Sequence, residues 1–233
     1  MRRLIRASGG IAGLALFAAP AHAVDASKRF SGPVISSAFY AGAHGGSSLM
    51  VDTLTQSDNG VPFFTSKLKP HPVFGGLHVG FQRSFGSLMV GLEADVDGLN
   101  ASASKTVAGT GTTTYNRSIT NTYQGSFRSR LGYDFGAVVL YATGGVAVTT
   151  LKATSSASTA PANQTSMNLA SGWTVGAGAQ YMLTTQWAAY TEYRYTDFGN
   201  VSVAADGGLN AGSTANHQFV VQSLRVGATY FFR

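Results

Sequence analysis

Residues Gly172 to Asn200 read GWTVGAGAQYMLTTQWAAYTEYRYTDFGN, two runs of strict alternation joined at Thr184-Thr185. In the first run Trp173, Val175, Ala177, Ala179, Tyr181 and Leu183 share a face, opposite Thr174, Gly176, Gly178, Gln180 and Met182. In the second, Trp187, Ala189, Thr191, Tyr193 and Tyr195 oppose Tyr190, Glu192, Arg194 and Thr196. A period of two means β-strands whose faces meet different surroundings. Each run is about ten residues long, the length a tilted strand needs to cross a bilayer. The tryptophans and tyrosines gather towards the strand ends, where a membrane barrel carries its aromatic girdles.

On these residues the chain resembles the small outer-membrane β-barrel family of Gram-negative bacteria, the immunogenic surface-protein, porin-like and haemin-binding group with an OmpA-like barrel. The resemblance rests on Gly172-Trp173-Thr174-Val175-Gly176-Ala177-Gly178, on Glu192-Tyr193-Arg194-Tyr195-Thr196-Asp197-Phe198-Gly199, and on the C-terminal Leu224-Arg225-Val226-Gly227-Ala228-Thr229-Tyr230-Phe231-Phe232. Weaker similarity runs from about Ala38. The resemblance implies an eight-stranded barrel and no single fixed activity.

Composition agrees with a membrane barrel. Charged residues make up 11% of the 233, against roughly 25% in a soluble globular protein. The absence of cysteine excludes a disulfide framework and a thiolate metal site. No stretch approaches the roughly 18 apolar residues of a spanning helix, so insertion has to be by strands. Residues 1–23 read as a secretory leader. Arg2, Arg3 and Arg6 form its basic start, Ile11 to Ala19 its short apolar core, and Ala21-His22-Ala23 an A-x-A cleavage site. Removing those three arginines halves the formal charge of +6, too small an excess to indicate nucleic acid. Residues 24–37 are expected to be a periplasmic lead-in and 38–233 the barrel.

Taken in order, strands are expected near Ala38–Gly46, Val73–Arg83, Leu88–Asp97, Thr122–Tyr133 and Val138–Thr150, then the hairpin above, then Gln218–Phe232. Short turns separate them near Phe85, Phe135 and Thr184. Long polar segments, Ser47–Pro72, Gly98–Asn121, Lys152–Ser171 and Phe198–Asn216, read as loops. Alternating short turns and long loops is the up-and-down pattern of an eight-stranded antiparallel transmembrane barrel. Val138–Thr150 is apolar on both faces, which leaves its orientation open. A soluble lipocalin-like barrel shares the alternation. Against it stand a polar face rich in Gly, Ser and Thr but poor in charge, aromatics near the strand ends, and a C-terminal strand resembling the outer-membrane assembly signal. Arg233 departs from that signal, because it follows the usual terminal aromatic.

Glu93 lies seven residues after Gly86 and Glu192 seven after Thr185; Arg128 lies six before Asp134 and Arg225 seven before Phe232. All four point to the polar side at one depth, on the order of 15 Å from the turn end. Asp95, Arg130 and Arg194 lie close by on the same faces. Isolated charges inside a barrel are costly, so acids and bases should pair. The expected result is a lumenal network of Glu93, Asp95, Arg128, Arg130, Glu192, Arg194 and Arg225 that plugs the pore, with a charged, ion-selective constriction as the sharper alternative.

Other chemistries have thinner support. His217 stands beside many loop serines, but nothing marks one as a nucleophile, so no catalytic residue is assigned. Haem binding, suggested by family members, needs an accessible imidazole in an apolar pocket. His44 and His78 face the lumen, which has no room for a porphyrin; His71 and His217 lie at loop bases. No cofactor or metal is expected. The expected partners are outer-membrane lipid and lipopolysaccharide, the barrel assembly machinery, and a host or extracellular ligand reached through the loops as in an adhesin.

Overall fold

The computed structural model describes residues 37–58, 61–68, 71–108, 114–157, 164–204 and 213–232. The expected leader with Ala21 and Ala23, the lead-in up to residue 36, and Arg233 lie outside them. The described residues form nine strands: β1 (Ser37–Asp58), β2 (Val61–Leu68), β3 (Val73–Phe85), β4 (Leu88–Ala108), β5 (Thr114–Asp134), β6 (Val138–Ala157), β7 (Gln164–Met182), β8 (Trp187–Ala204) and β9 (Ser213–Phe232). All pairings are antiparallel, in the order β1-β3-β4-β5-β6-β7-β8-β9. β1 closes onto β9 from Phe39↔Phe232 to Asp58↔Ser213. β2 pairs with the outer half of β1, Asp52↔Leu68 to Asp58↔Val61, and adds a flap rather than a ninth stave. The wall is a closed barrel of eight strands.

The alternation in the sequence becomes the two faces of this wall. Leu77 and Val226 point outward, 62% and 59% exposed, while Arg128 and Arg194 point inward at 1%. That is the reverse of a soluble barrel, which would bury the leucines and valines. β6 takes its orientation from its neighbours. Pairing Arg130 with Thr143 and Leu131 with Ala142 sends Tyr141, Thr143 and Thr149 inward and Leu140, Val146 and Val148 outward. The strict alternation of β5 thus fixes the register of a strand that lacks its own.

Outward aromatics form two belts. Near the tight turns are Tyr133, Phe135, Tyr181, Trp187 and Phe232, joined by Tyr230, whose ring packs on Trp187 at 5.2 Å. Towards the far end are Tyr123 and Trp173, the latter 5.4 Å from the Tyr195 ring. Tyr123 and Tyr133 sit ten residues apart on β5, which at about 3.3 Å per residue and a tilt near 45° spans ~23 Å of bilayer. The tight turns carry their own chemistry. Gly86 and Gly136 adopt φ of 63° and 101°, which side chains resist. The Thr184 hydroxyl accepts from the Gln186 and Trp187 amides at 3.2 and 2.9 Å.

The expected loops need correction. β4 and β5 remain paired out to Ala108↔Thr114, β6 and β7 to Ser155↔Gln164, and β8 and β9 to Ala204↔Thr214. Beyond the membrane no contrast of lipid and lumen imposes alternation, so these Ser/Thr/Ala segments keep the ladder without its sequence signature. Register shifts at Gly98/Ala101, Asn121/Gln124 and Asp197/Asn200 mark the change of surroundings. His217 lies within β9, opposite Leu54 and Val201, not at the opening of a strand.

Candidate functional site in the lumen

The inward side chains stack in three layers. Nearest the tight turns, Ala38, Tyr40, Ala188 and Phe231 pack with Met182, and Met89, Val139 and Tyr141 with Tyr190. At the far end Met50, Phe74, Leu99, Ala147, Ala170, Phe198, Phe219 and Val221 form a second apolar layer, drawn from every wall strand except β5. The charged layer lies between, and all seven expected network residues are in it and buried.

Register builds the layer. Glu93 stands opposite Arg128 on the adjacent strand, and Glu192 opposite Arg225. Longer links then cross the lumen. Arg128 contacts Glu93 through Nη2, reaches Asp95 Oδ2 at 3.1 Å, and meets Glu192 Oε1 and Thr143 Oγ1 through Nη1 at 2.7 and 3.1 Å. Arg194 holds Asp95 bidentately at 2.9 and 3.1 Å, and its Nε lies 3.1 Å from Glu192 Oε1. Asp95 Oδ2 also accepts from Ser126 Oγ at 2.5 Å. Arg130 Nη2 donates to Gln180 Oε1 at 2.7 Å, its Nη1 lies 3.6 Å from Glu93 Oε2, and its guanidinium caps the Tyr141 ring at 3.7 Å. The Tyr40 hydroxyl completes the Glu93 carboxylate at 2.9 Å.

Sequence reasoning missed part of this cluster. Asp97 binds Arg225 Nη2 at 3.1 Å and His44 Nε2 at 2.5 Å. It follows Asp95 by two residues on the same face, so alternation alone could have included it. Tyr40 and Tyr141 come from strands whose Gly-rich or doubly apolar sequence hid their faces. Their rings need missing neighbours: a Cβ on Gly80 would lie 2.3 Å from Tyr40 Cζ, and one on Gly178 2.6 Å from the Tyr141 ring.

Four guanidiniums, Arg128, Arg130, Arg194 and Arg225, meet four carboxylates, Glu93, Asp95, Asp97 and Glu192. Among the described residues the cluster is charge-balanced. The buried Nε atoms of Arg128, Arg130 and Arg225 make no hydrogen bond, although Arg225 Nε lies 4.0 Å from Glu192 Oε1; these side chains bond through their terminal nitrogens. His44 and His78 are buried within the stack, and His71 is exposed between β2 and β3. Among the described residues no group of His, Cys, Asp and Glu is arranged to hold a metal, and no serine hydrogen-bonds a histidine.

Comparison with known proteins supplies the lineage. The 25 kDa outer-membrane immunogenic protein of Brucella abortus is 34% identical over 110 residues, 47% of this chain and 46% of that one. The 31 kDa outer-membrane immunogenic protein of Brucella melitensis is 30% identical over 68% of this chain and 65% of its own. The chain thus spans about half to two thirds of the length of these two relatives. The crystal structure of the outer membrane protein OprG from Pseudomonas aeruginosa superposes with a TM-score of 0.55 at 15% identity, covering 84% of this chain and 96% of that one, a likeness of fold. Residues 10–232 match the outer membrane protein beta-barrel domain, and the chain belongs to that family of the bacterial outer membrane.

Proposed function

We propose that the protein is a structural, surface-displaying barrel whose lumen is a closed plug. The observation that carries this reading is the charge-balanced cluster bonded across the lumen and covered by apolar layers on both sides. A conducting pore needs a continuous open path, and here β4 is tied directly to β8 while buried apolar side chains, with Gln82, Gln124 and Thr149 among them, stand above and below. Among the described residues the lumen is filled by these buried side chains, which favours display over catalysis. The strand extensions beyond the aromatic belt carry the contacts outside the cell, with lipopolysaccharide around the wall and the C-terminal strand read during assembly.

Two measurements test this. Proteoliposomes containing the folded barrel should not swell in small sugars or amino acids faster than empty vesicles; rapid swelling would contradict the plug. The absence of native cysteine allows clean labelling. Thr114→Cys, at the end of β5 remote from the tight turns, should react with an impermeant maleimide on intact cells, and Ser87→Cys only after permeabilisation. The opposite pattern would reverse the orientation.

A further inference from the structure

His44 on β1 and His78 on β3 face each other through Nδ1 atoms 3.3 Å apart. Their far nitrogens are engaged: His44 Nε2 with Asp97 Oδ1 at 2.5 Å, and His78 Nε2 with Thr229 Oγ1 at 3.0 Å. A carboxylate only accepts, so neutral His44 carries its proton on Nε2 and leaves Nδ1 bare. His78 Nδ1 then donates to it, and His78 Nε2 accepts from the Thr229 hydroxyl.

One added proton fits this chain. His44 becomes the imidazolium and donates through Nδ1, while His78 moves its own proton to Nε2 and donates to Thr229. A second proton does not fit, because two N–H groups then face each other at 3.3 Å without an acceptor. The surroundings offer no relief. Arg225 Nη1 of β9 is 3.3 Å from His44 Nε2, the Tyr190 hydroxyl of β8 is 3.5 Å from His78 Nδ1, and Arg130 of β5 stands near His78. The nearby acids are Glu93, Asp95 and Asp97 of β4 and Glu192 of β8, and each is already held by an arginine. Tyr40 of β1 is directed at Glu93.

We propose that the His44–His78 pair is an acid-operated latch on the lumenal plug. Double protonation gives the balanced cluster two excess positive charges. It drives the rings apart, pulls Asp97 from Arg225 towards His44, and admits water and small anions. The latch rests on the closed-lumen reading and goes beyond it.

The test is planar-bilayer recording in chloride as the pH is lowered from about 7.5 to about 3.5. The wild type should be silent at the higher pH and open at the lower, with open probability rising about ten-fold per pH unit where the closed chain already holds one proton. His78→Gln keeps a hydrogen-bonding group against Thr229 but cannot charge, and should remove the step; His44→Gln is the second variant. Faster migration before boiling verifies that each barrel is folded. If neither variant folds, the ion preference of the acid-opened wild type decides: chloride passing in preference to potassium supports the latch, and an open state without anion preference overturns it. An equal step in the variants, or no step in the wild type, also overturns it. Steady conduction at pH 7.5 would instead overturn the closed lumen.

Discussion

Arg194 on β8 grips Asp95 on β4 from the opposite side of the barrel, through two contacts of 2.9 and 3.1 Å. With eight strands closed in a ring, β4 and β8 stand four places apart in either direction. The pair is therefore a tie across the lumen, and its two ends are 99 residues apart in sequence. Such a contact forms only once the barrel has closed.

Asp95, like Glu192, is shared among three arginines, facing Arg194, Arg128 and, at 3.7 Å, Arg225, and it also accepts from Ser126. Asp95→Ala should destabilise the folded barrel by about 3–5 kcal/mol, the usual result of stranding a buried charge. Urea titration in lipid vesicles, read by the gel shift of the folded form, measures it. A loss below ~1 kcal/mol would mean that the arginines are solvated and the lumen is wet.

Glu93 and Arg128 are direct register partners, so exchanging them keeps the pair and reverses its sense. Each single charge reversal should cost at least ~3 kcal/mol. The double exchange should recover part of the loss, and only part, because Glu93 also serves Tyr40 and Arg128 also serves Glu192. A double-mutant cycle with no coupling would contradict the pairing.

Two glycines separate lumen from lipid. A Cβ at Gly178 would lie 2.4 Å from the Thr191 carbonyl oxygen and 2.6 Å from the Tyr141 ring, whereas at Gly144 nothing lies within 4 Å. Gly178→Ala should cost about 1–3 kcal/mol through overpacking, and Gly144→Ala should be close to neutral. Equal effects in the same unfolding assay would contradict this assignment of faces.

Leu92 precedes Glu93 and points outward at mid-wall, 48% exposed. Leu92→Arg should destabilise the inserted barrel by about 2–4 kcal/mol, the depth-dependent cost of a cation against lipid. A tolerated arginine would indicate that water, not lipid, touches this face.

Much of the molecule is legible in the sequence, and for physical reasons. Strands such as β4 and β8 separate two unlike solvents, lipid and lumen, and that contrast writes a period of two into the chain. The same contrast located Glu93, Arg128, Glu192 and Arg225 at one depth, because counting from a tight turn measures height. It failed for β6, where both faces are apolar and only the neighbouring ladder decides. It failed again beyond the aromatic belt, where β5 and β6 continue as strands in one solvent. The His44–His78 contact and the Tyr40–Glu93 bond were not readable, since each depends on which strands closure brings together.

Single-channel recording of the wild-type barrel in a planar bilayer at neutral pH tests the closed lumen most directly. Reconstituted protein that migrates as a folded barrel should leave the membrane silent, and Arg194→Ala, which cuts the tie to Asp95, should produce discrete steps. Stable steps from the wild type, unchanged by Arg194→Ala, would contradict the plug and make the charged layer the lining of a pore.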